Sequence, residues 1–310
     1  MKVFNDFNQY TRSKELFLTI GFFDGLHAGH QRILRPLVAE AKSEGYSSAV
    51  ITFPFHPLKV LNPKKAPLAV ITSRQKSQYL EELDVDYTFL IDFRSEIRDM
   101  EPVEFIEKIL VEKLKLKKIY IGENFCFGKD GKGDVTLLKE EGRKFGFSVV
   151  SVPLMKIKGE IVSSTKIRGF ITEGNLEKLR EFLGRRYSVL GTVVEGKGIS
   201  KQIKYPTANI KLGEILTPPE GVYTGWAKLD PYTKDSGTRV YRSAFDLRTK
   251  PEKIIEAHII GLKRNIYYKE VEIIFLKKIR PRIIFKNRQE AHEQIARDVE
   301  DAKKLLSLKK

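Results

Sequence analysis

A chain of 310 residues is long enough for two domains at the common size of about 100–200 residues each. Its single cysteine, Cys126, excludes an internal disulfide framework, the start Met1-Lys2-Val3-Phe4-Asn5-Asp6 lacks the apolar core of a signal peptide, and no apolar stretch reaches the roughly 18 residues of a membrane span. A cytoplasmic location with no membrane partner is therefore expected. The net charge of +16 divides into +6 before Tyr187 and +10 from there onward, with bases and acids interleaved and no zinc-finger, RNA-recognition or basic-zipper signature. No nucleic-acid partner is expected, and a basic cleft for phosphorylated small molecules is.

The first predicted strand, Leu16–Ile20, runs into Gly21-Phe22-Phe23-Asp24-Gly25-Leu26-His27-Ala28-Gly29-His30. Ile33, Leu34, Leu37, Val38 and Ala41 then recur on one helix face, so the decapeptide reads as a strand, a glycine turn and a helix N-terminus. Free backbone N–H groups and the positive end of the helix dipole make that junction a phosphate site, which Gly25 and Gly29 let a ligand approach closely. His27 and His30 add side-chain donors where negative charge builds during nucleotidyl transfer. A zinc half-site is the competing reading of His-x-x-His, but the remaining histidines and the one cysteine supply no complementary ligand pair.

Apolar runs alternate with amphipathic stretches as far as residue 152 or so, with predicted strands at 49–53, 87–91, 118–121 and 147–152 and helices at 31–43, 73–83, 102–114 and 135–145. This predicts an α/β domain with a Rossmann-like parallel sheet, whose ligands sit at the carboxyl ends of the strands. Two more such ends are chemically suggestive: Thr52-Phe53-Pro54-Phe55-His56-Pro57 and Gly122-Glu123-Asn124-Phe125-Cys126-Phe127-Gly128. Cys126, between two phenylalanines, reads as buried filler. Ser163-Ser164-Thr165-Lys166-Ile167-Arg168 opens a helix; it is either a plain N-cap or, with Arg168 as a planar multi-donor cation, a phosphate clamp.

Beyond short helices at 164–173 and 176–183 the pattern changes at Gly184-Arg185-Arg186. Predicted strands at 187–194, 221–229, 239–245, 254–260 and 271–276 give a small, mostly antiparallel barrel or sandwich, closed by a C-terminal helix at 288–306. Thr207 and Asn209 in Tyr205-Pro206-Thr207-Ala208-Asn209 would share one side of an extended chain and offer hard oxygen ligands for Mg2+, although the segment could equally be a turn. Glu256, in Ile254-Ile255-Glu256-Ala257-His258, would face the barrel interior and could take a proton from a primary hydroxyl.

The four pieces of the first half together resemble the FAD synthetase (FMN adenylyltransferase) module of the prokaryotic bifunctional riboflavin kinase/FAD synthetases. Leu183-Gly184-Arg185, Pro206-Thr207-Ala208-Asn209, Gly221-Val222-Tyr223 and Glu256-Ala257-His258 resemble its riboflavin kinase module. The resemblance implies an adenylyltransferase domain over 1–185 and a kinase-like β-barrel over 186–310. Riboflavin, FMN and ATP are the implied partners, FAD the product and Mg2+ the metal, held in the barrel by Thr207 and Asn209. It implies catalytic roles for His27, His30 and Arg168 and makes Glu256 the kinase base. Gly21, Phe22, Asp24, Gly25, Gly29, Ser163, Ser164, Thr165 and, in the barrel, Lys201 would bind ATP or its phosphates. Phe53, His56, Asn124 and Phe127 would border flavin or adenosine. The chain departs from the family at Asn124, usually aspartate, at Ser200, Lys201 and Lys204 in the loop before Pro206, and around Ala244–Pro251, where an Asn-x-Gly-x-x-Pro-Thr segment is not visible. The alternative is an FAD synthetase whose barrel only binds flavin or supports assembly.

Overall fold

A computed structural model describes residues 1–11, 14–93, 96–196, 205–232, 239–283 and 285–307. The chain forms two compact units, Met1–Ala69 with Ser73–Ser164 and Val70–Thr72 with Thr165–Lys310.

The first unit is built on a six-stranded sheet: β1 (Lys2–Phe4), β2 (Leu16–Ile20), β3 (Ser47–Thr52), β4 (Tyr87–Leu90), β5 (Leu116–Gly122) and β6 (Ser148–Val152). Every pairing is parallel and the order is β1-β4-β3-β2-β5-β6. Strands β2 and β3 are buried at every residue, which is why the centre of the sheet reads as continuous apolar sequence rather than as an alternation. Strand β3 begins two residues earlier than its apolar run predicts. Ser48 is buried there because its amide and hydroxyl both donate to Asp86 Oδ2 at 2.9 Å. The edge strand β1 is too short to show a period, but its Phe4 stacks on Phe89 with ring centroids 5.2 Å apart.

Helix α1 (Ala28–Ser43) lays Leu34, Leu37 and Ala41 on the sheet, as its sequence stripe predicts. It is followed by α2 (Leu58–Leu61), α3 (Ser73–Glu82), α4 (Pro102–Glu104) and α5 (Val135–Phe145). The helix predicted at 102–114 changes winding: α4 passes into a π-helical segment, Phe105–Lys113, which closes with Leu114 N–H donating to Ile109 O. A hairpin of β7 (Lys156–Ile157) and β8 (Glu160–Ile161) precedes α6 (Ser164–Glu173) and α7 (Leu176–Leu183).

The second unit is a closed antiparallel barrel of β9 (Ser188–Val194), β10 (Ala208–Leu212), β11 (Gly221–Leu229), β12 (Arg239–Arg248), β13 (Ile254–Ile259) and β14 (Glu270–Arg280), in the order β10-β13-β12-β11-β14-β9. Its core centres on Tyr223, Phe245 and Phe275, all buried, with Phe275 edge-on to the other two at 5.2 and 5.1 Å. Strand β10 was absent from the predicted set. It is a strand because Ile210 and Leu212 both drop into the interior. The last helix, α8 (Arg288–Ser307), packs Val299 and Ala302 on Ala244, and Arg280 of β14 grips its Asp298 with two bonds of 2.9 and 2.7 Å. No helix among the described residues is long and apolar enough to cross a membrane.

Candidate active sites

The strand order of the sheet reverses between β2 and β5, and the crevice at that switch point is where an open α/β sheet binds ligands. A cleft of 220 Å³ opens there, lined by His27, Gly29 and His30 from the start of α1, Asn124 from beyond β5, and Ser163 and Ser164 at the start of α6. His27 is the N-cap of α1: its Nδ1 accepts from the His30 backbone N–H at 3.3 Å. An Nδ1 that accepts leaves the ring hydrogen of neutral His27 on Nε2, so the tautomer is fixed as a donor. The two imidazoles stack at 3.5 Å with planes 16° apart. Gly29 makes that possible, since a Cβ there would lie 3.2 Å from the His27 ring. The Ser164 hydroxyl donates to the Asp24 carbonyl at 3.2 Å and fastens the turn ahead of the histidines. Asp24 and Gly25 are themselves buried and shape that turn, and neither lines the cleft. Thr165 and Arg168 belong to the second unit; Thr165 is exposed and Arg168 half-buried on α6.

A second, larger cavity of 600 Å³ in the same unit is walled by phenylalanines. Phe22 follows β2, Phe53 follows β3, Phe93 follows β4, and Phe125 and Phe127 follow β5, with Gly21 beside them. Phe125 and Phe127 stack at 5.6 Å, Phe53 and Phe93 meet edge to face at 5.4 Å, and His56 stands edge-on to Phe22 at 4.9 Å. An apolar cavity lined by several aromatic rings suits a planar fused ring, which can pack on their faces and edges. The structure thus separates two residues that the sequence grouped together: Phe127 faces this cavity and Asn124 the histidine cleft. Cys126 is exposed and lines the aromatic cavity, which corrects its reading as buried filler. Phe93, Phe105 and Phe125 were missed. Phe93 and Phe125 were findable, because each stands just past a strand's carboxyl end.

On the barrel, Asn209, Glu256 and Asp246 stand in one cross-strand row, since Asn209 pairs with Glu256 and Glu256 with Asp246. The predicted inward orientation of Glu256 is corrected here. Its neighbours Ile255 and Ala257 are fully buried in the barrel, so Glu256 lies on the outer face, in a 400 Å³ cavity with Asp246, Arg282 and Ile295 of α8. Arg248 Nη2 lies 3.4 Å from Glu256 Oε1, and Arg282 Nε donates to Asp246 Oδ2 at 3.0 Å. Burial raises the Asp246 carboxyl above the usual range, against the pull of Arg282. A separate 520 Å³ cavity is lined by Pro206, Lys263, Arg264 and Tyr267, and Thr207 lines both. His258 Nδ1, 3.0 Å from Pro206 O, fixes the segment that carries Thr207. Thr207 therefore offers a hard oxygen at the boundary of two ligand-sized spaces, with Asn209 two residues on, a donor set that suits Mg2+. Lys201, with Ser200 and Lys204, lies outside the described residues.

Comparison with known proteins bears on both units. A family model for FAD synthetase matches residues 9–166 and one for riboflavin kinase matches residues 183–306. The bifunctional riboflavin kinase/FMN adenylyltransferase of Buchnera aphidicola subsp. Schizaphis graminum is 32% identical over 295 residues, 94% of each chain. That of Escherichia coli K12 is 30% identical over 298 residues, 94% of this chain and 93% of its own. A crystal structure described as a macrolide-efflux protein from Streptococcus pneumoniae matches with a TM-score of 0.83 at 25% identity, covering 97% of this chain and 98% of that one. Two matched family models in tandem, and relatives aligned almost end to end, place the chain in the family of bifunctional riboflavin kinase/FMN adenylyltransferases.

Proposed function

We propose that the two units carry out successive ATP-dependent steps. The barrel transfers the γ-phosphoryl group of ATP to the ribityl 5′-hydroxyl of riboflavin, giving FMN and ADP. The sheet unit adenylylates FMN, giving FAD and pyrophosphate. The observation that carries the second assignment is one short loop serving two spaces: Gly21 and Phe22 wall the aromatic cavity, and the same segment ends at His27 and His30 in the cleft. A flavin ring between the phenylalanines and a triphosphate at the α1 N-terminus would then be neighbours.

Adenylyl transfer needs no protein nucleophile. An oxygen of the FMN phosphate attacks the α-phosphorus of ATP as the bond to the bridging oxygen breaks, and catalysis lies in aligning two anions and neutralising the charge between them. His27 Nε2–H, His30 and the backbone N–H groups of α1 supply donors there. In the barrel, Glu256 takes the proton of the attacking hydroxyl. Thr207 and Asn209 would hold Mg2+, which when bound neutralises phosphate charge. On this reading His30→Ala stays folded and slows FAD formation from FMN by at least about tenfold, or about 1.4 kcal/mol in the barrier. Parental turnover in that variant removes His30 from the mechanism.

Incubating the purified chain with riboflavin, ATP and Mg2+, and separating the flavins over time, tests the whole scheme. FMN should rise first and FAD follow. FAD formed from supplied FMN but none from riboflavin would reduce the chain to an adenylyltransferase.

A further inference from the structure

Lys76, on α3, has no part in the scheme above, yet it is only 2% exposed. Lysine is almost never buried so completely unless its charge is paired. Its Nζ donates to the carbonyl oxygens of Phe22 at 2.7 Å and Phe53 at 2.9 Å, and to Thr52 Oγ1 at 3.3 Å. It also lies 4.1 Å from the centre of the Phe22 ring. The three acceptors match the three N–H donors that only the protonated amine possesses. Burial pushes this ammonium down to about 7, and the Asp24 carboxylate works against that shift.

The two carbonyls mark where β2 and β3 leave the sheet, and the Phe22 and Phe53 rings both wall the aromatic cavity. Beyond Phe22 the chain runs through Phe23 and Leu26, non-glycine residues with φ of 52° and 40°, before it reaches His27. Left-handed backbone at such residues persists only where the surroundings over-determine it. Lys76 grips one end of this strained turn, and the Ser164 hydroxyl grips its middle at Asp24.

We propose that Lys76 is a positioning residue, joining the ends of β2 and β3 so that the flavin wall and the turn leading to the histidine pair hold a single arrangement. It touches neither reactant. It acts through Phe22, which belongs to the cavity on one side and to the strained turn on the other. The proposal rests on the adenylyltransferase reading of this unit. FAD formation by the parent chain tests that reading, and the ratio of variant to parent tests Lys76.

Lys76→Met keeps an unbranched apolar stem and removes every donor. In FAD formation by the full chain, KM for FMN should rise by at least about tenfold because the Phe22 wall is no longer held, and kcat should fall by at least about threefold because the turn that carries the histidine pair loosens with it. Riboflavin phosphorylation by the same preparation should be unchanged, which controls for the state of the barrel. A lowered Tm with parental KM values at temperatures where the variant is folded means packing only and overturns the proposal. If Lys76→Met does not fold, Lys76→Gln retains two donors and should show an intermediate KM for FMN. A folded Lys76→Gln with parental KM, or failure of both variants to fold, assigns Lys76 to folding and overturns the positioning role.

Discussion

Glu256→Gln is expected to lower riboflavin phosphorylation by about 10²- to 10⁴-fold, the range a positioned general base contributes, while leaving adenylylation of supplied FMN at the parental rate. The amide keeps the size and shape of the carboxylate and can still meet Arg248 Nη2, which lies 3.4 Å from Oε1 in the parent. What it lacks is the capacity to accept the hydroxyl proton. Cross-strand neighbours Asn209 and Asp246 hold their places through backbone pairing that the substitution does not touch. Flavin affinity should therefore be retained, measured by the change in riboflavin fluorescence on titration. Initial rates of FMN formation decide the matter: a variant within about threefold of the parent would remove Glu256 from the role of base.

Gly225→Ala should destabilise the barrel by about 3 kcal/mol or more, a large effect for one methyl group. Gly225 lies in β11 between Ser243 of β12 and Phe275 of β14, at a step where the β11–β14 register shifts. A Cβ built there overlaps the carbonyl oxygen of Ile274, a backbone atom that no rotamer change can move. The two strands must part, and in a closed barrel the parted strands have no other edge to recruit. Calorimetry should show the loss as a lower transition temperature and a fall in riboflavin kinase activity, with FAD formation from FMN retained below that transition. An unshifted transition would mean that this close approach does not constrain the barrel.

Much of this was visible in the order of residues because the causes are local. Leu16–Ile20 is buried on both faces, so its apolar run marks β2, and His27, Gly29 and His30 fall within one turn of the same helix start. What stayed hidden depends on partners far along the chain. Ser48 counts as a loop residue until Asp86, 38 positions later, takes its amide and hydroxyl. Lys76 reads as the polar face of α3 because the carbonyls that hold it come from 54 and 23 residues before it. The outward turn of Glu256 was legible: Ile255, Ala257 and Ile259 alternate with Glu256 and His258, so period two puts the carboxylate on the polar side of β13. What the alternation does not show is the cover on that outer side, which comes from α8, whose Val299 packs on Ala244. Strand β10 is five residues long and directly follows Pro206-Thr207, so its alternation barely begins before it ends.

Thr207 is wall to two cavities at once, and that has a thermodynamic corollary. If a ligand in one space moves Thr207, the surface offered to the other changes with it, and the two occupancies then carry a coupling free energy. Linkage makes such coupling reciprocal: any factor by which a nucleotide changes the affinity for the flavin is the factor by which the flavin changes the affinity for the nucleotide. The order in which the two bind at this boundary can affect rates, but the free energy of the doubly occupied barrel is the same by either route.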